Sequence, residues 1–333
     1  MDSRDCQIAD NHGERWFVDR RTVPYATAML KPIALALMLC ASIACWSKVP
    51  SFRSAHVVVV DETTGEVLLE KDALTAAPIA SLTKLMTAMV VLDAGQDLDE
   101  TLRIDNVDRD TLRHSRGGLR VGAMVPRRAL LELALLVSDN HAAAALARCY
   151  PGGPVAFADA MQRKIAALGL ANTRLVEPTG LSPDNHASAL DMVKLLQATK
   201  DYPLVAQITS QRTRAVVING RQRPVHNTNA LVGRPGWDIL TSKTGYTTDA
   251  GRCLTMRMRV GDRTVSVVLI GALASSSRSL DAQRIRRWLD DEVAARAAAL
   301  AGQRASASIQ GSPAAAQARP ALLRIGAGLR YLT

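Results

Sequence analysis

The run Ser81-Leu82-Thr83-Lys84-Leu85-Met86-Thr87-Ala88-Met89-Val90-Val91-Leu92-Asp93 decides how the rest of the chain is read. Its apolar character is continuous rather than one-sided, which predicts a central helix over 81–93. Lys84 lies three residues after Ser81, and that spacing puts the hydroxyl and the amine on one helix face. A serine hydroxyl is a weak nucleophile and needs a base beside it. Lysine serves as that base only when burial or a nearby cation lowers its pKa. A helix N-terminus also aims backbone N–H groups at the place where an oxyanion would form.

Two more clusters fit the same chemistry. Ser138-Asp139-Asn140 begins 57 residues after Ser81 and interrupts a helical stretch over 127–149 with residues that favour caps and turns. A second hydroxyl there can relay a proton, and an amide can hold a substrate carbonyl. Lys243-Thr244-Gly245 follows 103 residues after Asn140, at the end of a strand expected over 238–243. A cation and a hydroxyl can grip a carboxylate, and a glycine lets a substrate backbone come close. The chain's composition gives about 0.5 chance matches to Ser-x-x-Lys, but only about 0.03 each for the other two, so the trio is not a composition effect.

The remaining sequence narrows the function class. With 333 residues the chain can hold one large domain or two modest ones, and 48% apolar with 22% charged residues excludes wholesale disorder. Five scattered cysteines exclude a disulfide scaffold or a zinc ribbon. Cys149 and Cys253 are expected as free, buried thiols. The six histidines lack metal-ligand spacing, and His226 in His-Asn-Thr-Asn is the one singled out. There is no HExxH, CxxC, GxSxG, phosphate-binding loop or dinucleotide fingerprint, so neither metal nor organic cofactor is expected. The net charge of +10 suits an anionic partner, while 4% aromatic residues argue against base-stacking on nucleic acid.

Residues 33–44 form an apolar run of twelve behind Lys31, with Ser42 and Ala44 as small residues before Cys45. This is the layout of a secretory signal, too short for a stable membrane span, and it predicts export to the periplasm away from nucleic acid. Met29 offers an alternative start, and Ser42-Ile43-Ala44 is a poor context for lipidation of Cys45. The expected organisation is an N-terminal extension and signal over 1–44, a linker over 45–54, a catalytic domain over 55–302 and a flexible basic tail over 303–333. Segment 321–333 offers at most weak membrane association. Strands are expected over 55–60, 66–70, 214–218, 251–260 and 264–272, and helices over 155–168, 187–199 and 280–301. Strands at both ends with helices between them predict one sheet completed by distant segments around a helical insert.

The trio, in this order, resembles the penicillin-interacting serine enzymes, the DD-peptidases and serine β-lactamases. Segments 81–93, Pro178-Thr-Gly-Leu-Ser182, His226-Asn-Thr-Asn-Ala-Leu231, Lys243-Thr-Gly-Tyr-Thr247 and Gly251-Arg-Cys-Leu254 look like the low-molecular-mass penicillin-binding proteins of the D-alanyl-D-alanine endopeptidase branch. The resemblance covers roughly 55–290. It implies an α/β (α+β) fold of the β-lactamase/DD-peptidase type, with an antiparallel sheet flanked by helices plus an all-helical subdomain. It implies Ser81 as nucleophile, Lys84 as its base, Ser138 as proton relay and Asn140 as amide binder. Lys243 and Thr244 would hold a carboxylate, with Gly245 beside them. The N–H groups of Ser81 and Tyr246 would form the oxyanion hole, and Arg278 would bind carboxylate. The implied substrate is the peptide cross-link of peptidoglycan, with β-lactams as covalent inhibitors. Carboxypeptidase activity, β-lactamase activity and a non-catalytic wall-binding or sensing role stay open, as does the oligomeric state. The residues left after 290 are too few for the second, β-rich domain of the carboxypeptidases. Glu177 lies 37 residues after Asn140, near where class A β-lactamases place a deacylating acid, but Pro178-Thr179-Gly180 departs from their pattern, so Glu177 is expected to be a loop residue.

Overall fold

The structure is a computed structural model that describes residues 49–113, 118–274 and 276–310. The expected signal, Cys45 and segment 311–333 lie outside the described residues. Strand β1 (His56–Asp61) opens the fold, and β2 (Val67–Lys71) returns beside it. Helices α1 (Thr83–Asp93), α2 (Arg127–Leu136), α3 (Asn140–Arg148), α4 (Gly153–Ala167), α5 (Ala189–Ala198) and α6 (Pro203–Thr209) follow. A hairpin of β3 (Thr213–Ile218) and β4 (Arg221–His226) leads to β5 (Asp238–Thr247), β6 (Gly251–Val260) and β7 (Arg263–Ala272). Helix α7 (Ser277–Gln310) closes the described chain.

The main sheet is antiparallel, in the order β5-β6-β7-β1-β2. Strand β1 pairs with β7, from His56 opposite Ile270 to Asp61 opposite Val265, so distant segments do complete one sheet. The β-branched run of β1 is buried on both faces. Val58 and Val60 point to the helical side, while Val57 and Val59 point to the side covered by Ala282, Ile285 and Leu289 of α7. Helix α1 is the spine of the helical side, and nine of its eleven residues are buried. Burying side chains such as Leu85, Met86 and Met89 contributes about 1.5–3 kcal/mol each, and this anchors the helix end that carries Lys84.

Several expectations need correction. Ser81 belongs to a 3₁₀ turn, Ala80–Leu82, that leads into α1. The strand expected to end at Lys243 continues to Thr247, so Lys243-Thr244-Gly245 lies inside β5. Strand β4 and helix α6 were not expected. Pro224 and the arginines of β4 mask its strand character, but Pro224 sits on an exposed edge strand, where a missing N–H does no harm. The linker over 45–54 ends in docked residues rather than free ones. Ser54 is buried, and its N–H and Oγ both donate to the Asp281 carboxylate of α7, at 2.7 and 2.8 Å. Helix α7 runs to Gln310, past the point at 303 where a flexible tail was expected. Its alanines and arginines are strong helix formers, and residues 294–304 prolong the helix with exposed side chains. Cys149 and Cys253 are free, but only Cys253 is fully buried. Burial pushes the Cys253 thiol up to about 11. Among the described residues no helix is long and apolar enough to cross a membrane.

Candidate active site

The site forms where the start of α1, the α2–α3 junction, the 177–182 loop and β5 converge. Two glycines make the convergence possible. A Cβ on Gly245 would stand 2.9 Å from the Ile79 carbonyl oxygen and 3.1 Å from the Ser81 nitrogen, so only glycine lets β5 lie against the nucleophile's backbone. Gly180 approaches from the other side with φ +81°, and a Cβ there would fall 1.9 Å from the Ala80 carbonyl oxygen. Gly180→Ala is therefore expected to cost more than about 2 kcal/mol, from left-handed backbone strain plus displacement of the Ala80–Ser81 turn. A thermal melt and a penicillin-acylation rate should both fall.

Only a few non-glycine residues have positive φ among the described residues, and two of them are here: Ala80 at 49° and Ser138 at 63°. Such strain persists where the surroundings fix it, as they do at functional sites. The Ser138 turn separates α2 from α3. Asp139 then caps α3, accepting from Ala142 N at 2.9 Å, and also accepts from Gly118 N at 2.7 Å. Each residue of the triplet thus has a distinct position. Ser138 turns its Oγ toward β5, Asp139 fixes the helix start, and Asn140 faces α1.

Lys84 ties the parts together. Its buried Nζ donates to Ser81 Oγ at 2.9 Å, Asn140 Oδ1 at 2.7 Å and the Thr179 carbonyl oxygen at 2.6 Å. The two carbonyl oxygens can only accept, so each requires an N–H from Lys84. A neutral amine has two N–H bonds, and these two acceptors take them. In that neutral form Lys84 accepts from the Ser81 hydroxyl instead of donating to it, the arrangement a general base needs. Burial pulls the Lys84 pKa down to about 8, against the opposing pull of Glu177, Asp139 and Asp110.

Lys243 is buried in β5. Its Nζ donates to Ser138 Oγ at 2.7 Å and to the Thr244 carbonyl oxygen at 2.8 Å. Burial, then the positive charges of Lys84 and Arg278, hold its pKa well below the usual lysine range. Thr244 Oγ1 lies 2.6 Å from Thr228 Oγ1. A cleft of about 460 Å³ opens in front, lined by Ser81, Leu112, Arg113, Asn140, Leu181, Tyr246, Thr247 and Thr248. Arg113 spans its mouth, donating to the Leu181 carbonyl oxygen at 2.7 Å and pairing with Asp249.

Ser81, Lys84 and Asn140 thus form one hydrogen-bonded group and Ser138, Lys243 and Thr244 a second, with Gly245 and Tyr246 beside them. Arg278 stands behind the strand. Its Nη1 donates to the carbonyl oxygens of Gly245, at 2.9 Å, and Cys253, at 3.1 Å. It braces β5 and adds positive charge near Lys243. His226 lies outside this set, in contact with Thr213 on the hairpin. Glu177 is a loop organiser. Its carboxylate accepts from Gly180 N at 2.6 Å, Thr179 N at 2.7 Å, Leu181 N at 2.9 Å and Asn185 Nδ2 at 3.0 Å. These bonds aim the Thr179 carbonyl at Lys84. Glu177→Gln is expected to lose about 1–3 kcal/mol of stability, because its amide N–H would face backbone donors. Acyl-enzyme lifetime in a timed mass series should shift only modestly, through the altered surroundings of Lys84, and not by the orders of magnitude that loss of a deacylating acid would bring.

Sequence reasoning missed Thr179, Thr228, Arg113 and Asp249. Thr179 acts through a backbone carbonyl, which leaves no side-chain signal. The Arg113–Asp249 pair spans 136 residues of sequence. No group of three or more His, Cys, Asp or Glu side chains among the described residues could hold a metal ion.

The D-alanyl-D-alanine carboxypeptidase family, peptidase family S11, matches residues 44–274. The chain is similar to a D-alanyl-D-alanine endopeptidase of Pseudomonas aeruginosa, 44% identical over 239 residues, which are 71% of this chain and 77% of that protein. A protein of the same name from Escherichia coli is 41% identical over 72% of this chain and 78% of its own length. Among solved structures, a point mutant of a Streptomyces DD-transpeptidase superposes with a TM-score of 0.68 at 26% identity, over 72% of this chain and 99% of that one. The antiparallel sheet with its helical subdomain is therefore the DD-peptidase fold, and the chain belongs to the D-alanyl-D-alanine carboxypeptidase family of serine DD-peptidases.

Proposed function

We propose that the protein is a D-alanyl-D-alanine endopeptidase that hydrolyses D-alanyl-meso-diaminopimelyl cross-links of peptidoglycan. The observation that carries this is Lys84 Nζ, held by two obligate acceptors with its third position on Ser81 Oγ. Ser81 Oγ attacks the D-alanine carbonyl carbon and gives its proton to Lys84. The N–H groups of Ser81 and Tyr246 receive the oxyanion. The carbon–nitrogen bond then breaks, and the leaving amine takes a proton relayed through Ser138. Water hydrolyses the resulting ester with Lys84 again as base, which frees Ser81 and a carboxylate. Asn140 binds the substrate amide. Lys243 and Thr244 hold a carboxylate on the leaving side, with Arg278 adding positive potential through β5. An arriving carboxylate stabilises the charge on Lys243, and that charge keeps Lys84 neutral.

Relatives named endopeptidase, at 41–44% identity, favour cross-link cleavage over trimming of terminal D-alanine. Relatives named carboxypeptidase, such as one from Bacillus subtilis at 29%, are more distant. The bacterial relatives and the apolar run at 33–44 support a periplasmic location, and the charge of +10 suits an anionic wall. No metal or organic cofactor enters this reaction. β-Lactams would acylate Ser81 as substrate mimics.

A timed intact-mass series after mixing with benzylpenicillin tests the catalytic reading. A long-lived adduct that maps to the peptide containing Ser81 is expected. An adduct that vanishes while penicilloate accumulates would mean a β-lactamase. No adduct would leave a binding role.

A further inference from the structure

Between Asp201 and Asp238 the chain has no acidic residue and five arginines: Arg212, Arg214, Arg221, Arg223 and Arg234. Arg214 is engaged, donating to Glu132 Oε1 at 2.7 Å and Gln211 Oε1 at 3.0 Å. The other four are exposed, and no hydrogen bond or ion pair joins their side chains to any described residue.

Their placement is ordered. Arg223 sits opposite Val216 and Arg221 opposite Ile218 in the β3–β4 hairpin. Val216 is fully buried, whereas Arg221, Gln222, Arg223 and Pro224 are all exposed, so the edge strand carries its arginines into solvent at the rim of the hairpin. Arg212 precedes β3, and its side chain packs against Gly233, next to Arg234. The base of the hairpin is bonded to the active site. Asn227 N donates to the Arg212 carbonyl oxygen at 2.9 Å, Thr228 N donates to the Leu136 carbonyl oxygen at 3.1 Å, and Thr228 Oγ1 meets Thr244 Oγ1. At about 3.3 Å per residue, the backbone of Arg223 and Arg221 lies some 15–25 Å along the chain from Thr228, which meets Thr244.

We propose that Arg212, Arg221, Arg223 and Arg234 form a docking strip for the second peptide strand of a cross-linked wall, gripping its carboxylates. This rests on the endopeptidase reading above. A substrate that ends in one D-alanine stops at Lys243 and Thr244. A cross-linked substrate continues past the scissile bond into another peptide with free carboxylates of its own, and the contact of Thr228 with Thr244 makes the hairpin the surface next to the carboxylate-holding end of β5. Guanidinium forks suit carboxylates, and exposed ones keep much of their hydration when they pair, so the desolvation cost is smaller than for a buried ion pair. The strip would then favour polymeric, cross-linked substrate without touching the chemistry.

The test uses the full chain carrying R212E, R221E and R223E together, with R212K, R221K and R223K as the charge-conserving counterpart. Three quantities are measured: benzylpenicillin acylation rate, hydrolysis of a short D-alanyl-D-alanine peptide, and co-sedimentation with purified peptidoglycan sacculi in a Ser81→Ala background. The charge-reversed protein is expected to keep the first two within about twofold and to lose about tenfold or more in sacculus binding at low salt. The lysine counterpart should retain most of that binding. Unchanged sacculus binding by the charge-reversed protein overturns the strip. So does arginine-dependent binding to anionic phosphatidylglycerol vesicles without arginine-dependent binding to sacculi. If the charge-reversed protein fails to acylate, the lysine protein decides: with normal acylation, sacculus binding that is mostly retained and weakened by salt supports the strip, and lost or salt-insensitive binding overturns it. Failure of the wild type to acylate or to cleave cross-links counts against the catalytic reading instead, because sacculus binding is measured without turnover.

Discussion

Ser81→Ala is expected to abolish penicillin acylation and to lower cross-link hydrolysis by roughly 10⁴-fold or more. The substitution removes the hydroxyl whose proton Lys84 is proposed to take, while leaving the cleft, Lys243 and the backbone N–H groups proposed for the oxyanion in place. Residual rate then comes from binding and electrostatics alone, which is why the loss is large but finite. Ser81 is only half-buried, so its lost hydroxyl leaves no deep cavity, and the melting temperature should change little. The comparison to make is kcat on a soluble cross-linked dimer for both proteins, beside their melting curves. A Ser81→Ala protein within tenfold of wild type would remove the nucleophile assignment.

Lys84→Met is expected to cost roughly 10²–10⁴-fold in acylation rate, the usual worth of a positioned base. It also leaves Asn140 Oδ1 and the Thr179 carbonyl without their donor, so a loss of about 1–3 kcal/mol in stability should accompany it. The pH dependence of the wild type separates the two effects. The ammonium form of Lys84 cannot take a proton, and the pKa of about 8 means that most of the free enzyme holds that form at neutral pH. Acylation should therefore rise as pH climbs through about 8 and level off above it. Lys84→Met should lose this rise while it remains folded. A flat wild-type profile between pH 6 and 9, sampled at half-unit steps (range chosen to bracket the lowered lysine pKa), would argue against a neutral lysine as base.

Much of this was legible in the chain because the site is built from side chains with fixed local spacing. Ser81 and Lys84 share a helix face, and the cap-forming character of Asp139 breaks α2 from α3 at the right place. The β-branched run over 55–60 was expected as a strand, and it forms β1. What escaped depends on tertiary context. The Thr179 carbonyl is aimed by the Glu177 carboxylate, and no residue type announces a useful backbone oxygen. Gly245 looked like a strand end, but the close approach of Ser81 demands glycine within the strand. The resemblance implied a carboxylate-binding Arg278, whose guanidinium holds the carbonyls of Gly245 in β5 and Cys253 in β6 from behind, a position that no local spacing reveals. Strand β4 was hidden by Pro224 and by arginines that face solvent.

The most direct measurement is digestion of a purified cross-linked muropeptide dimer, followed by chromatography and mass spectrometry, with monomeric pentapeptide in a parallel reaction. An endopeptidase predicts two monomers from the dimer, with the new carboxyl on D-alanine and the new amine on diaminopimelate, and no product from the Ser81→Ala protein. An intact dimer, together with loss of a terminal D-alanine from the pentapeptide, would contradict it and make the protein a carboxypeptidase.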